Sequence, residues 1–224
     1  MFARIVAAAG LAGLLSGLLL TALQQLEIAP LIRAAEVREE SALATRASSH
    51  THAVVDQPDS WTPANATQRL MATAASNIAV ATGFALLLGA LMSLRGASGW
   101  RQGLVYGAAG YAVLFVAPAL GLPPELPGTA SAPLHAREFW WIATVIASAA
   151  GLGLIAFGRM PALRIAGIAL LVAPHLVGAP QPAIHDGLHP AEAAADFIRA
   201  TYLVNSVLWL ALGGMVGYFG KSRP

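Results

Sequence analysis

The chain has 224 residues, 57% hydrophobic and 11% charged, with 13 Lys and Arg against 11 Asp and Glu for a formal charge of +2. Soluble domains are charged at about a quarter of their positions, so this composition excludes an ordinary soluble domain, a disordered chain and a nucleic-acid-binding arm, and implies a bilayer as solvent. Cysteine is absent, which excludes a disulfide framework, a thiolate metal site and a thiol nucleophile.

A helix needs roughly 20 residues to cross a hydrocarbon core about 30 Å thick. Six stretches free of Asp, Glu, Lys and Arg meet that length: Ile5–Leu26, Leu70–Leu94, Gln102–Pro124, Phe139–Gly158, Ile165–Ile184 and Thr201–Gly220. The third is expected to end near Leu120, before Pro123 and Pro124. The fifth is interrupted at Pro174-His175 and is expected to end near Val177. The fold class is therefore all-α, a polytopic integral membrane helix bundle with about six transmembrane helices, or five if the fifth segment stops short. The whole chain, 1–224, forms a single membrane domain.

The first stretch is too long for a signal peptide's apolar region and has no clear small-residue cleavage site, so it reads as a retained helix. Its Gly13-x-x-x-Gly17 face predicts close helix contact, as do Gly103-x-x-x-Gly107 and Gly213-x-x-x-Gly217 further on. Gln24, Gln25 and Glu27 cluster at its end. Positions 24 and 27 are three apart and would share a helical face. Amide and carboxylate oxygens suit hard and borderline cations, although polar helix ends are also expected at headgroup depth.

Segment 27–69 is the one large extramembrane (periplasmic) loop. Leu31, Ala34, Ala35 and Arg38 begin a helical stripe, so the helix is expected to run on past Leu26 with a bend at Pro30. Residues 48–65 read as irregular loop and contain His50-x-His52, whose side chains would point the same way in an extended chain. Asn77 in the second span and Asn205 in the sixth are isolated amides, suited to interhelical hydrogen bonds or to a pore lining. Loop 123–138 is rich in proline. His175 follows Pro174 within the fifth stretch. An ionisable group there usually faces a cavity or the bundle interior, and the alternative is polar glue to a neighbouring helix. His185 and His189 have metal-like spacing, but Gly187 and Pro190 argue against a helix between them.

Charge sets the expected orientation. With both termini in the cytoplasm, the inner face holds Arg4, Arg95, Arg101, Arg159, Arg164, Lys221 and Arg223 and no acid. All 11 acids and all the histidines then lie outside or in the outer half of a span. The short inner loops carry the arginines, as the positive-inside rule requires. No Gly-x-x-x-x-Gly-Lys-Ser/Thr loop, His-Glu-x-x-His helix or Gly-x-Ser-x-Gly elbow occurs, so nothing reads as a catalytic apparatus and no cofactor is expected.

Several segments together resemble a known family. They are Gly13-Leu-Leu-Ser-Gly-Leu-Leu-Leu-Thr-Ala-Leu-Gln-Gln-Leu ending at Leu26, Ala35-Glu-Val37, Leu122-Pro-Pro-Glu-Leu-Pro-Gly128, Arg137-Glu-Phe-Trp-Trp141 and Pro174-His-Leu-Val-Gly-Ala-Pro-Gln-Pro182. Across nearly the whole chain they resemble the predicted cobalt transporter subunit family CbtA. The resemblance implies a bacterial inner-membrane protein that imports cobalt for cobalamin synthesis. It also implies a small partner with one span and a histidine-bearing tail. On this reading Glu125, Glu36 and Gln25 form the mouth for a divalent cation, most simply Co²⁺, and His175 an intramembrane stop. Gln24, Glu27, His185, His189, Asn77 and Asn205 are further candidate ligands. The rival expectation is a membrane scaffold, or a sensing or assembly subunit, that does not itself transport.

Overall fold

The computed structural model describes residues 2–49, 63–183 and 188–220, and every regular element among them is helical. α1 (Phe2–Leu23), a π turn (Gln24–Ile28) and α2 (Ala29–Ser49) form one continuous helix. α3 (Ala66–Leu94) follows, its first turn capped by Asn65, whose side chain accepts from the Gln68 N–H at 2.8 Å. α4 (Trp100–Tyr111), a second π turn (Ala112–Val116) and α5 (Ala117–Ala119) are again continuous. α6 (Leu134–Phe157), α7 (Pro161–Val177) and α8 (Ala191–Gly220) complete the chain.

Five of these continuous helices are long and apolar enough to cross a bilayer: Ile5–Thr45, Ala66–Leu94, Trp100–Ala119, Leu134–Phe157 and Ala191–Gly220. The remaining one, α7, has 17 residues, or about 25 Å of helix. The third and fifth apolar stretches thus end where the sequence places their ends, and the fifth, which runs through Pro174 and stops at Gly178 (φ +86°), is the short one.

Each π turn ends two residues before a proline, Pro30 or Pro118. A proline inside a helix lacks an N–H and its ring crowds the carbonyl four residues back. Here the preceding alanine donates five residues back, Ala29 to the Gln24 carbonyl and Ala117 to the Ala112 carbonyl. The widened turn absorbs the misfit. The disturbance expected at Pro30 takes the form of a π turn, and the helix continues to Ser49.

α1 lies along α3, α4 along α8, and α8 also touches α1 and α3. The apolar core runs between α1, α3 and α8, through Ala9, Ala12, Ala81, Ala85, Leu88, Val204, Leu208 and Leu212. Glycine sets the closeness of these pairs. A Cβ on Gly13 would fall on the backbone of Thr82, and one on Gly17 would sit 2.5 Å from the Ile78 Cα. Between α4 and α8 the seam is reciprocal: Gly103 meets the Gly213 carbonyl, Gly107 the Trp209 carbonyl and Gly217 the Gly99 carbonyl. The three small-residue faces seen in the sequence are thus all packing faces.

α6 and α7 form a separate hairpin. Gly151 and Gly167 face each other, each leaving room for the other's carbonyl at 2.6 Å from a virtual Cβ. The hairpin touches the rest of the bundle near one end, where the Trp140 ring fills the space left open at Gly121. At the opposite end the Arg95 guanidinium stacks over the Phe157 ring at 3.6 Å.

The ends of the bundle differ in chemistry. One end gathers the start of α1, the turn from α3 to α4, the turn from α6 to α7 and the end of α8. Ile5, Gly89 and Val216 meet there, and the Gly99 N–H donates to the Gly217 carbonyl at 3.0 Å. It carries Arg95, Arg101, Arg159 and Arg164 and, among the described residues, no carboxylate. The other end carries every described Asp and Glu.

Candidate functional site

The acidic end holds a cleft of about 870 Å³ between the second π turn, α5, the loop after it and the start of α6. Phe115, Leu122, Trp141, Ile142 and Phe197 supply apolar walls, and Glu125, Thr129, Ser131, Arg137 and Glu138 supply polar groups. The loop is fixed by its own sequence. Leu126 is buried in the main apolar cluster, which turns its neighbour Glu125 outward. The Ser131 hydroxyl donates to the Glu125 carboxylate. The loop's prolines restrict its backbone before any side chain acts. An exposed carboxylate is thereby held at the rim of a cleft with both apolar and polar walls.

A second polar group lies at the first π turn. Asn77 Nδ2 donates to Gln24 Oε1 at 2.7 Å and to Thr21 Oγ1 at 3.0 Å, and Thr21 Oγ1 donates to the Gly17 carbonyl at 2.8 Å. Residues read separately in the sequence thus form one network between α1 and α3. Glu27, expected on the same face as Gln24, is exposed, while Gln24 and Gln25 are half-buried. The π turn changes the angular spacing, so a three-residue separation no longer keeps positions 24 and 27 in one environment.

The other candidates are dispersed. Glu36 on α2 takes both oxygens to Arg69 Nη1 on α3 at 3.2 Å. His175 lies in the last turn of α7, its ring edge-on to Trp140 at 5.9 Å between centroids. The helix is not unwound at Pro174. The Pro174 carbonyl accepts from Gly178 N–H at 3.1 Å and from Trp140 Nε1 at 3.3 Å. Asn205 Nδ2 donates to Thr201 O of its own helix at 2.9 Å. His189 Nε2 meets the Pro127 carbonyl at 2.6 Å. His185, His50 and His52 lie outside the described residues. Among the described residues no three His, Asp or Glu side chains gather as a metal-binding group.

Three groups near this end escaped the reading of the sequence. Ser131 gives no signal beyond its nearness to Glu125 in the chain. Trp140 pins α6 to α7 through the Pro174 carbonyl and the His175 ring. Glu39 had a signal: the buried face of α2 runs through Ile28, Ile32 and Ala35, and Glu39 continues it four residues on. Ala34 and Arg38, placed on the apolar stripe by the sequence, are exposed.

Residues 2–221 match the family described as Probable cobalt transporter subunit (CbtA). The chain belongs to the CbtA family. No curated protein and no solved structure matches it. Membership covers the first helix through the last, so the cleft, the Gln24–Asn77 network and the α6–α7 hairpin all belong to the CbtA unit. With its apolar helices, membership makes the chain a multi-pass membrane protein of a cobalt transport system. As a CbtA subunit it works with a partner, and a metal ion is its cargo.

Proposed function

We propose that this CbtA chain is the inner-membrane subunit of a bacterial uptake system for divalent cations, with Co²⁺ as cargo and cobalamin synthesis as its destination. Its partner on this reading is a small single-span subunit with a histidine-bearing tail. The observation that carries it is the division of charge between the two ends. The arginine-bearing short turns belong in the cytoplasm and the start of α1 and the end of α8 lie with them, so the acidic end faces outward and meets the ion first. Segment 27–69 then lies on the periplasmic side of a single membrane domain.

In this reading Glu125 at the cleft, with Glu36, Glu27 and Gln25, draws and partly dehydrates the cation. Gln24, Asn77 and Asn205 offer amide oxygens along the helices, and His175 adds an imidazole beside the cleft wall. His185 and His189 belong to the approach on the last outer loop. Imidazole and carboxylate ligands alone favour nickel and copper over cobalt, so selection rests on geometry. The membrane potential supplies a drive of about 4.6 kcal/mol per 100 mV for a doubly charged ion, twice the single-charge value.

Radioactive cobalt uptake tests this in cells expressing the chain with its partner, against Glu125→Gln and His175→Ala at equal membrane abundance. Wild-type cells are expected to accumulate cobalt and both variants to accumulate less. Failure of the wild type with cobalt, nickel and zinc alike would replace transport with a scaffold role.

A further inference from the structure

His189 lies just before α8 at the acidic end, and its two ring nitrogens are in different situations. Nε2 meets the Pro127 carbonyl at 2.6 Å. A carbonyl can only accept, so Nε2 carries the proton. In neutral imidazole this leaves the lone pair on Nδ1. Nδ1 is buried and has no hydrogen-bond partner. Buried polar atoms without partners are rare in folded proteins, and each calls for a reason.

The arrangement matches what a metal-binding histidine needs. Such a ring donates its far N–H to a backbone carbonyl or carboxylate, which fixes both its tautomer and its orientation and presents the other nitrogen to the ion. A carboxylate meets the same loop one residue on. The Glu39 carboxyl carbon is 3.1 Å from the Cβ position that Gly128 lacks, and Leu188 Cδ2 is 3.0 Å from it. His189 holds the carbonyl side of the Pro127–Gly128 peptide, and Glu39 lies against its glycine. Among the described residues Glu39 makes no ion pair and no hydrogen bond. Gly128, at φ +79°, is in the left-handed region that favours glycine, and its missing side chain leaves Glu39 its place.

We propose that His189 and Glu39 form a divalent-cation capture site beside the outer loop, with His189 Nδ1 and the Glu39 carboxylate as ligands and the Pro127 carbonyl as the anchor of the ring. This deepens the uptake reading and rests on it for the identity of the ion. The site differs from the Glu125 rim, since Glu125 is bonded to Ser131 and lies on the cleft side of the loop. One proline-rich loop thus carries Glu125 at the cleft and touches His189 through Pro127 and Glu39 through Gly128.

The test is Co²⁺ titration of the purified full chain in detergent, followed by calorimetry and by the visible absorption of bound cobalt. His189→Gln keeps an N–H donor for the Pro127 carbonyl and removes the Nδ1 lone pair. Glu39→Gln removes the charge and leaves the ring untouched. Each is expected to weaken binding by about tenfold or more, with His189→Gln also changing the cobalt spectrum. Wild-type affinity in a folded His189→Gln chain would make His189 a loop latch only and overturn the site. If His189→Gln does not fold, wild-type affinity in Glu39→Gln does the same. Cellular uptake separates the two ideas. Binding through His189 with no uptake by wild-type cells retires transport and keeps the site. Uptake with unaltered binding in both variants retires the site and keeps transport.

Discussion

Two substitutions in the outer loop separate charge from position. Ser131 lines the cleft and its hydroxyl donates to Glu125. Ser131→Ala is expected to raise the cobalt concentration for half-maximal uptake while leaving the maximal rate unchanged. The shift should be about tenfold, the lower end for losing a group that orients a metal ligand. An unchanged half-saturation would show that Glu125 needs no positioning. Gly128→Ala acts on both faces of the loop. It places a side chain at φ +79° and its Cβ 3.1 Å from the Glu39 carboxyl carbon. The backbone alone should cost about 1–2 kcal/mol, seen as a lower unfolding midpoint in detergent, and Co²⁺ binding should weaken with it. A chain of wild-type stability would remove the strain argument. Neither residue stands out in the sequence, because a serine and a glycine in a proline-rich loop acquire meaning only from what folds against them.

The π turns are the devices that act at the scale of elements. Proline was legible in the sequence as a helix disturbance, and the continuation of the first helix past Leu26 was legible from its composition. The form of the disturbance was not, since a kink and a widened turn both satisfy the missing donor. The difference matters because the π turn decides which polar residues meet Asn77. Gln24 is turned to α3 and Glu27 away from it, against the simple three-residue rule. Pro30 is exposed, so Pro30→Ala removes no packing while letting the turn close to a regular helix. Stability should hold or rise, because alanine supplies the helix donor that proline lacks, while cobalt uptake at equal abundance falls. Uptake equal to wild type would mean the turn only accommodates the proline. Asn77→Leu is the complementary change. It should cost about 0.6–1.7 kcal/mol, the span measured for hydrogen bonds between membrane helices, read as earlier unfolding on titration with a harsh detergent.

For the whole molecule, hydrophobicity located the helices and glycine spacing located most of the faces by which they pack. Lipid tails are as apolar as leucine, so burial does not drive one membrane helix onto another, and close backbone contact takes its place. That is why Gly13, Gly17, Gly103, Gly107, Gly213 and Gly217 could be read from spacing alone. Gly151 and Gly167 could not, because their partners lie on different helices and neither belongs to a four-residue repeat within its own. The candidate site was less legible for a related reason. It is assembled from a loop, a π turn and the ends of helices, and no periodicity ties Glu39 to His189 or Ser131 to Glu125. Packing by glycine also gives the sharpest test of the architecture, since the same substitution must act oppositely in a helix seam and on an open helix face. Gly107 leaves no room beside the Trp209 carbonyl of α8, whereas Gly83 on α3 has no atom within 4 Å of its Cβ position. Gly107→Leu should separate α4 from α8, costing at least the roughly 1–3 kcal/mol of an overpacked core, and should leave little monodisperse protein on size-exclusion chromatography. Gly83→Leu faces the bilayer and gains helix propensity worth up to about 1 kcal/mol, so its chain should elute and unfold like the wild type or slightly later. Equal tolerance at both positions would mean that α4 and α8 are not held together by their glycine seam. The acidic-end cleft would then lose its floor, because α8 carries Phe197 on the same helix that the seam holds in place.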